Sequence, residues 1–336
     1  MKKKVALIGL GQQAQKYHLP GILNCDKVEL VAVCDIDETK VEQISNELNV
    51  LGYTDVKKLV QSEMLDFVII ATPHDTHLDI VRIVSEKGVH ILKEKPFAKN
   101  LSEAIEMNDI IEKNNVNFML TLQRRFSLTY SRFFDYINRI GKPSHIDIKY
   151  NIFTDKPHFE WRGSKEKAGG GCILDMGYHM IDVLIWFFGL PENLYSTYST
   201  VGRGEVNQEV EDSASIIFNY GGGLSGNMDI SRISVPKTEY VKVIGQNGVL
   251  ELLKNKINIY DVKGNITECI VAKNLTDEQY ASKQINEFLR ILDSSDKIKI
   301  DEHINIDPMI FIEGCYQSKI NNQLVKLNEL MAIGTH

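Results

Sequence analysis

The sequence predicts an α/β domain built on a parallel sheet over residues 1–122, then an α+β domain with a large, mainly antiparallel sheet over residues 123–336. Three observations carry this. At 336 residues the chain is longer than one hydrophobic core usually grows. As far as Gln123, short apolar runs alternate with helical patterns, the order that places helices on both faces of parallel strands. Beyond Gln123, apolar runs follow one another with only turn residues between them, the order of an antiparallel sheet.

In the first part, residues 5–9, 30–34, 67–71, 90–92 and 117–121 read as strands. They are continuous apolar runs rather than alternating ones, as strands buried on both faces require. Residues 12–23, 38–48, 76–87 and 102–114 carry the helical pattern between them. In the second part, residues 129–139 and 173–188 read as helices. Strands are expected at 146–153, 195–201, 213–219, 223–230, 239–244, 249–253 and 257–260. Gly221-Gly222-Gly223, Asn247-Gly248 and Lys263-Gly264-Asn265 supply turns among them. Helices over 278–292 and 308–322 close the chain, which shows no internal repeat and no low-complexity linker.

Composition narrows the function classes. The net charge is -7 and basic residues form no long run, which argues against nucleic-acid binding. No stretch approaches the ~18 apolar residues of a membrane span. The apolar run after Lys2-Lys3-Lys4 is too short for a secretory signal. The five cysteines form neither a C-x-x-C pair nor zinc-like spacing. Free thiols in a reducing cytoplasm, and no metal, are therefore expected. Cys172 reads as a small buried residue.

Gly9-Leu10-Gly11-Gln12-Gln13-Ala14 fits G-x-G-x-x-A between a strand and a helix. Gly9 permits the tight turn, Gly11 lets a pyrophosphate approach the backbone, and Ala14 allows close helix–sheet packing. The N–H groups around Gln12 and Gln13, at the helix start, favour phosphate. Asp35 ends the second strand at the distance expected of a ribose-binding acid. This is a Rossmann-type dinucleotide site. A carboxylate there repels a 2′-phosphate, so NAD(H) is expected in preference to NADP(H).

Two further runs carry chemistry. Lys95 precedes Pro96, which holds its backbone extended and lets its ammonium be aimed. Gly169-Gly170-Gly171 precedes Asp175 and His179. Four apart on a helix, these two share a face, and a carboxylate beside an imidazole suits proton transfer. As a plain surface pair they would contribute only ~0.2–0.5 kcal/mol to the helix. Asp182, one turn on, reads as a structural tie. Glu94 is read either as reaching the nicotinamide ribose or as an exposed strand-end acid. Thr72 and Pro73 are read as lining the cofactor groove through backbone contacts, with His77 either packing at the following helix start or touching the ligand.

Taken in order, Gly9-x-Gly11-x-x-Ala14, Ala71-Thr72-Pro73 with His77, Glu94-Lys95-Pro96, Gln123-Arg124-Arg125-Phe126 and Gly169-Gly170-Gly171-x-x-x-Asp175-x-Gly177-x-His179 resemble one family. It is the glucose-fructose oxidoreductase / inositol dehydrogenase / rhizopine catabolism (Gfo/Idh/MocA) family. Glu313-Gly314-Cys315-Tyr316-Gln317-Ser318 also resembles its final helix.

The resemblance implies an NAD-dependent oxidoreductase acting on a secondary hydroxyl or ketone of a sugar, sugar derivative or polyol. It implies catalysis by Lys95, Asp175 and His179, with Lys95 or His179 as the final proton donor. It also implies a homodimer or homotetramer built through the C-terminal sheet. Cofactor contacts are expected from Gly9, Gly11, Gln12, Gln13, Ala14, Asp35, Ala71, Thr72, Pro73, His77, Glu94 and Lys95. Substrate contacts are expected from Arg125, Trp161, Arg162 and Tyr178. Arg125 is also read as a bridge between domains. Trp161 and Arg162 share a loop with His158 and Phe159, where an aromatic ring either stacks on a sugar or closes the core. Two other outcomes are weighed: tightly held NAD in a redox-neutral glycosidase or epimerase cycle, and a nucleotide-binding regulator without catalysis.

Overall fold

A computed structural model describes residues 2–156, 160–201, 209–294 and 302–333. The chain divides into two compact units. One comprises Met1–Ala98, Ser102–Gln123 and Leu275–Asn305; the other comprises Lys99–Leu101, Arg124–Asn274 and Ile306–His336.

Among the described residues the first unit holds six parallel strands: β1 (Lys3–Ile8), β2 (Val28–Cys34), β3 (Leu51–Tyr53), β4 (Phe67–Ile70), β5 (His90–Lys93) and β6 (Phe118–Leu120). Their order is β3-β2-β1-β4-β5-β6. Val5–Ile8 of β1 and Phe67–Ile70 of β4 are buried throughout, which explains their unbroken apolar sequence. Strand β3 and the helix Val56–Ser62 are absent from the sequence reading. The strand is three residues long and lies at the sheet edge, and the helix is declared mainly by its Asp55 cap, which accepts from the N–H groups of Lys57 and Lys58.

The helix after β1 is not uniform. Ala14–His18 is π-helical, with Leu19 N–H donating to Ala14 C=O, before Leu19–Leu23 continues as α-helix. Pro20 accounts for this. It has no N–H to donate and its ring crowds the carbonyl four residues back, so a widened turn relieves both problems.

The helix Asp277–Asp293 corrects the expected domain division, because it belongs to the first unit. Thr276 and Gln279 form its capping box. Its buried face is Ala281, Gln284, Ile285, Phe288 and Leu289. Ile285, Phe288 and Leu289 join the core of Leu7, Ile22 and Phe67, and the Phe288 ring meets Phe67 edge-on at 5.3 Å. Gly21 makes the approach possible, since a Cβ there would collide with Ala281.

Among the described residues the second unit is built on nine strands: β7 (Pro143–Phe153), β8 (Asn193–Ser199), β9 (Ser213–Asn219), β10 (Ser225–Ser231), β11 (Ile233–Gly245), β12 (Gly248–Leu253), β13 (Lys256–Tyr260), β14 (Ile266–Val271) and β15 (Val325–Lys326). Their order is β14-β13-β12-β11-β7-β10-β9-β8-β15, antiparallel except for the β7–β10 pair. Alternation sets the faces: Ile146, Ile148, Ile216, Phe218, Met228, Val241, Val243 and Leu250 are buried, while Ile217 and Ile244 on the other face are exposed. The expected helix at 129–139 is three short turns instead, Tyr130–Arg132, Phe133–Tyr136 and Ile137–Ile140. Aromatic packing governs there, with Phe133 stacked 3.8 Å from Phe187. Pro308, read as a helix start, lies inside the helix Glu302–Asn321.

Candidate active site

In the first unit the strand order reverses between β1 and β4, and open α/β sheets bind ligands beyond the carboxyl ends of strands at such a point. Gly9 leaves β1 with φ of +90°, and a Cβ there would lie 2.5 Å from the Ala71 carbonyl oxygen. Only glycine fits that turn. Gly11 is exposed, and a Cβ on it would meet nothing within 4 Å, so the turn has an open side. Gln15 N–H bonds the Gly11 carbonyl. The N–H groups of Gln12, Gln13 and Ala14 precede that first intrahelical donor, which suits them to phosphate oxygens. Ala14 itself is fully buried in the core.

Asp35 is half-buried beside this turn. Its Oδ2 accepts from Leu10 N–H at 2.6 Å and its Oδ1 from Asp37 N–H at 3.0 Å. The carboxylate is thereby oriented, and each oxygen keeps acceptor capacity for a hydroxyl. Ile36 next to it is 95% exposed, an apolar surface that the sequence reading does not single out. The fit for a dinucleotide is good: an open glycine turn, free donors at a helix start, and an oriented acid.

Glu94 is not an exposed acid. It is buried, and its Oε1 accepts from His18 Nε2 at 2.7 Å and from Gln13 Nε2 at 3.4 Å. Burial pushes its carboxyl up, but the hydrogen bond and charge of His18, with the Lys95 ammonium, outweigh that and hold it below the usual carboxylate value. Ala71, Thr72 and Pro73 are half-buried after β4, where Thr76 Oγ1 bonds both Thr72 Oγ1 and the Pro73 carbonyl.

His77 packs at the start of the helix His77–Ser85, the first of its two readings, and is buried with both ring nitrogens engaged. Nε2 donates to the Thr72 carbonyl at 3.0 Å and Nδ1 faces Lys93 Nζ at 2.7 Å. Lys93 is fully buried and also donates to the carbonyls of Glu94 at 2.8 Å and Pro96 at 2.7 Å. Burial pulls both groups well below their ordinary pKa values. Lys95 follows, half-buried, with a cis peptide bond to Pro96.

In the second unit the regular helix is Tyr178–Phe188, so the expected start at residue 173 is corrected. Residues 172–177 coil in single turns. Asp175 N–H bonds the Gly171 carbonyl, and Gly177 N–H reaches back five residues to Cys172. The cause is Glu211, a buried carboxylate that accepts from the N–H groups of Gly171 and Ile173, both at 2.9 Å, and from Tyr316 Oη at 3.0 Å. Its carbonyl takes the Cys172 N–H. Burial raises its pKa, partly offset by these donors. At Gly171 a Cβ would collide with the Glu211 backbone.

Asp175 therefore sits on a turn and His179 on the first turn of the helix, both half-exposed. Arg162 Nε lies 3.8 Å from Asp175 Oδ2, and its guanidinium covers the Trp161 ring at 4.5 Å. Trp161, Arg162 and Asp175 thus form one cluster. His158 and Phe159 lie outside the described residues. Tyr178 is fully buried rather than bordering an open site. Arg125 is committed to Asp182 through both its Nε and Nη2, at 2.7–3.2 Å, so Asp182 is the structural tie expected of it. Arg124 pairs likewise with Glu239 and Tyr150. Lys93, His18 and Glu211 went unread in the sequence. The only signal for Lys93 is a charge inside an apolar strand, and nothing local points to Glu211.

Comparison with known proteins agrees with this architecture. A family model described as an oxidoreductase family with an NAD-binding Rossmann fold matches residues 3–122, and the model of the GFO/IDH/MocA C-terminal domain matches residues 137–251. The chain is 22% identical over 311 residues to a D-xylose 1-dehydrogenase (NADP(+)) of Haloferax volcanii, covering 89% of this chain and 92% of that protein. It is 25% identical over 281 residues to the myo-inositol 2-dehydrogenase of Thermotoga maritima, covering 82% and 79%. An aldose-aldose oxidoreductase from Caulobacter crescentus, solved with glycerol, shares the fold with a TM-score of 0.86 at 18% identity, covering 97% of this chain and all of that one.

Proposed function

Because the chain belongs to the Gfo/Idh/MocA oxidoreductase family, we propose that it moves a hydride between NAD(H) and a secondary hydroxyl or ketone of a sugar, sugar derivative or polyol. The observation that carries this reading is the Asp35 carboxylate, oriented by Leu10 N–H of the glycine-rich turn and by Asp37 N–H. That arrangement accepts ribose hydroxyls and disfavours a 2′-phosphate. The relative from Haloferax volcanii carries NADP(+) in its name, so the cofactor preference is a point to test.

When bound, the nicotinamide supplies the hydride acceptor or donor. The protein's own residues do the rest. The N–H groups around Gly11, Gln12 and Gln13 hold the diphosphate, and Ala71, Thr72 and Pro73 line the groove. Lys95 holds the substrate oxygen and stabilises alkoxide charge. His179 takes or returns the hydroxyl proton, with Asp175 orienting the ring and stabilising its protonated form. Trp161 and Arg162, beside Asp175, contact the sugar. The outer face of the nine-stranded sheet, where Tyr240, Asp147 and Asn227 are linked by hydrogen bonds, builds a homodimer or homotetramer. The five free thiols suit a reducing cytoplasm.

The test is a panel of sugars and cyclitols with NAD⁺ and NADP⁺, read by the absorbance of reduced nicotinamide. Turnover with NAD⁺ that exceeds turnover with NADP⁺, and that loses this preference in Asp35→Ala, is expected. No reduction across the panel, together with cofactor that copurifies, would move the reading to a redox-neutral cycle.

A further inference from the structure

We propose that Lys93 and His77 are positioning residues that fix the backbone on both sides of Lys95. The inference rests on the reading of Lys95 as the group that holds the substrate oxygen. Lys93 is fully buried, a position that costs an ammonium dearly unless its donors are met. All three donors are met, by His77 Nδ1 and by the carbonyls of Glu94 and Pro96. Those two carbonyls bracket Lys95. The loop from Glu94 to Pro96 therefore wraps around one nitrogen, which sets where the Lys95 side chain leaves the backbone. His77 is fixed in turn. Its Nε2–H donates to Thr72 C=O, leaving Nδ1 unprotonated as the acceptor for Lys93.

The sheet does not need this arrangement. Strand β5 is already paired on both sides, to β4 and to β6. The Lys93 ammonium adds nothing to that ladder, and its three bonds go to the loop and to the element that carries His77. An apolar residue at position 93 would leave the Glu94 and Pro96 carbonyls without their donor. It would also let the loop choose its own geometry, and a catalytic group placed loosely by about 1 Å works poorly.

The test uses the full chain with the sugar or cyclitol that the panel identifies, and four variants. Lys93→Met keeps the side-chain length without donors. His77→Leu removes the acceptor, whereas His77→Gln restores it, its amide oxygen facing Lys93 and its amide N–H facing Thr72. Lys95→Met serves as the reference. Lys93→Met and His77→Leu should lower kcat by about 10- to 100-fold, the scale on which losing the partner that orients a ligand-holding group acts at metal sites. NADH affinity should stay within about twofold, and His77→Gln should recover most of the loss. Hydrogen exchange of the peptide around residues 94–97 should rise in Lys93→Met while β1 and β4 keep their protection.

Wild-type kcat and unchanged exchange in Lys93→Met, beside an inactive Lys95→Met, would overturn the positioning role alone. Full activity in Lys95→Met would instead remove the reading beneath it. If Lys93→Met does not fold, the His77→Leu and His77→Gln pair decides, and equal losses in both would overturn the inference.

Discussion

Glu94 shows how one side chain at the candidate site is tuned. Its burial favours the neutral acid, and the His18 hydrogen bond and charge reverse that. A folded-state pKa below the unfolded value of 4.5 means the native protein binds fewer protons there. The contribution to stability is then fully present above the unfolded value and is lost as pH falls through the folded one. Thermal melts between about pH 6 and pH 3 should show the wild type losing its advantage over Glu94→Gln as the solution is acidified. A constant difference across that range would mean that His18 does not hold the carboxylate ionised. The residues proposed to handle the proton answer to kinetics instead. Lys95→Met and His179→Ala should each cut turnover by roughly 10²–10⁴ while NADH titration stays nearly unchanged. Full turnover in either variant would take that residue out of the reaction.

At the level of elements, the turn bearing Asp175 is shaped by contacts distant in sequence. Glu211 holds the N–H groups of Gly171 and Ile173, and its own backbone occupies the space that a side chain at position 171 would need. Gly171→Ala should therefore push this turn off Glu211, cost about 1–3 kcal/mol as an overpacked contact does, and lower turnover by moving Asp175. Urea unfolding and steady-state kinetics read the two effects separately, and a variant with wild-type values in both would show that the turn has room to give. The same contacts explain what the sequence made legible. Strands β1 and β4 were readable because burial on both faces leaves an unbroken apolar run. Gly9, Gly11 and Asp35 were readable because their spacing is local. The start of the helix at Tyr178, the π-helical turn at Ala14–His18 and the roles of Lys93 and Glu211 were not. Each depends on a partner that only tertiary structure brings near. The helical period at residues 173–188 was real, but the closed glycine contacts at 171 and 177 override it over the first turn.

For the whole molecule, the least linear feature is that the first unit, after breaking off at Gln123, takes in Leu275–Asn305 from far along the chain. The amphipathic period of Asp277–Asp293 announces a buried face but not which core receives it. The receiving core is that of Leu7, Ile22 and Phe67. Exposing Ile285, Phe288 and Leu289, at about 1.5–3 kcal/mol each, removes a large part of the ~5–15 kcal/mol that stabilises an ordinary domain. A fragment of residues 1–123 should accordingly unfold without a sharp transition and bind NADH poorly, despite holding the glycine turn and Asp35. Joining residues 275–305 to it through a flexible linker should restore a cooperative urea transition and NADH binding. The comparison is direct, because both fragments carry the glycine turn and Asp35 and differ in the joined segment that holds the covering helix. A sharp transition and equal NADH affinity in the shorter fragment would show that the parallel sheet and its own helices already suffice, and that the returning helix serves another purpose.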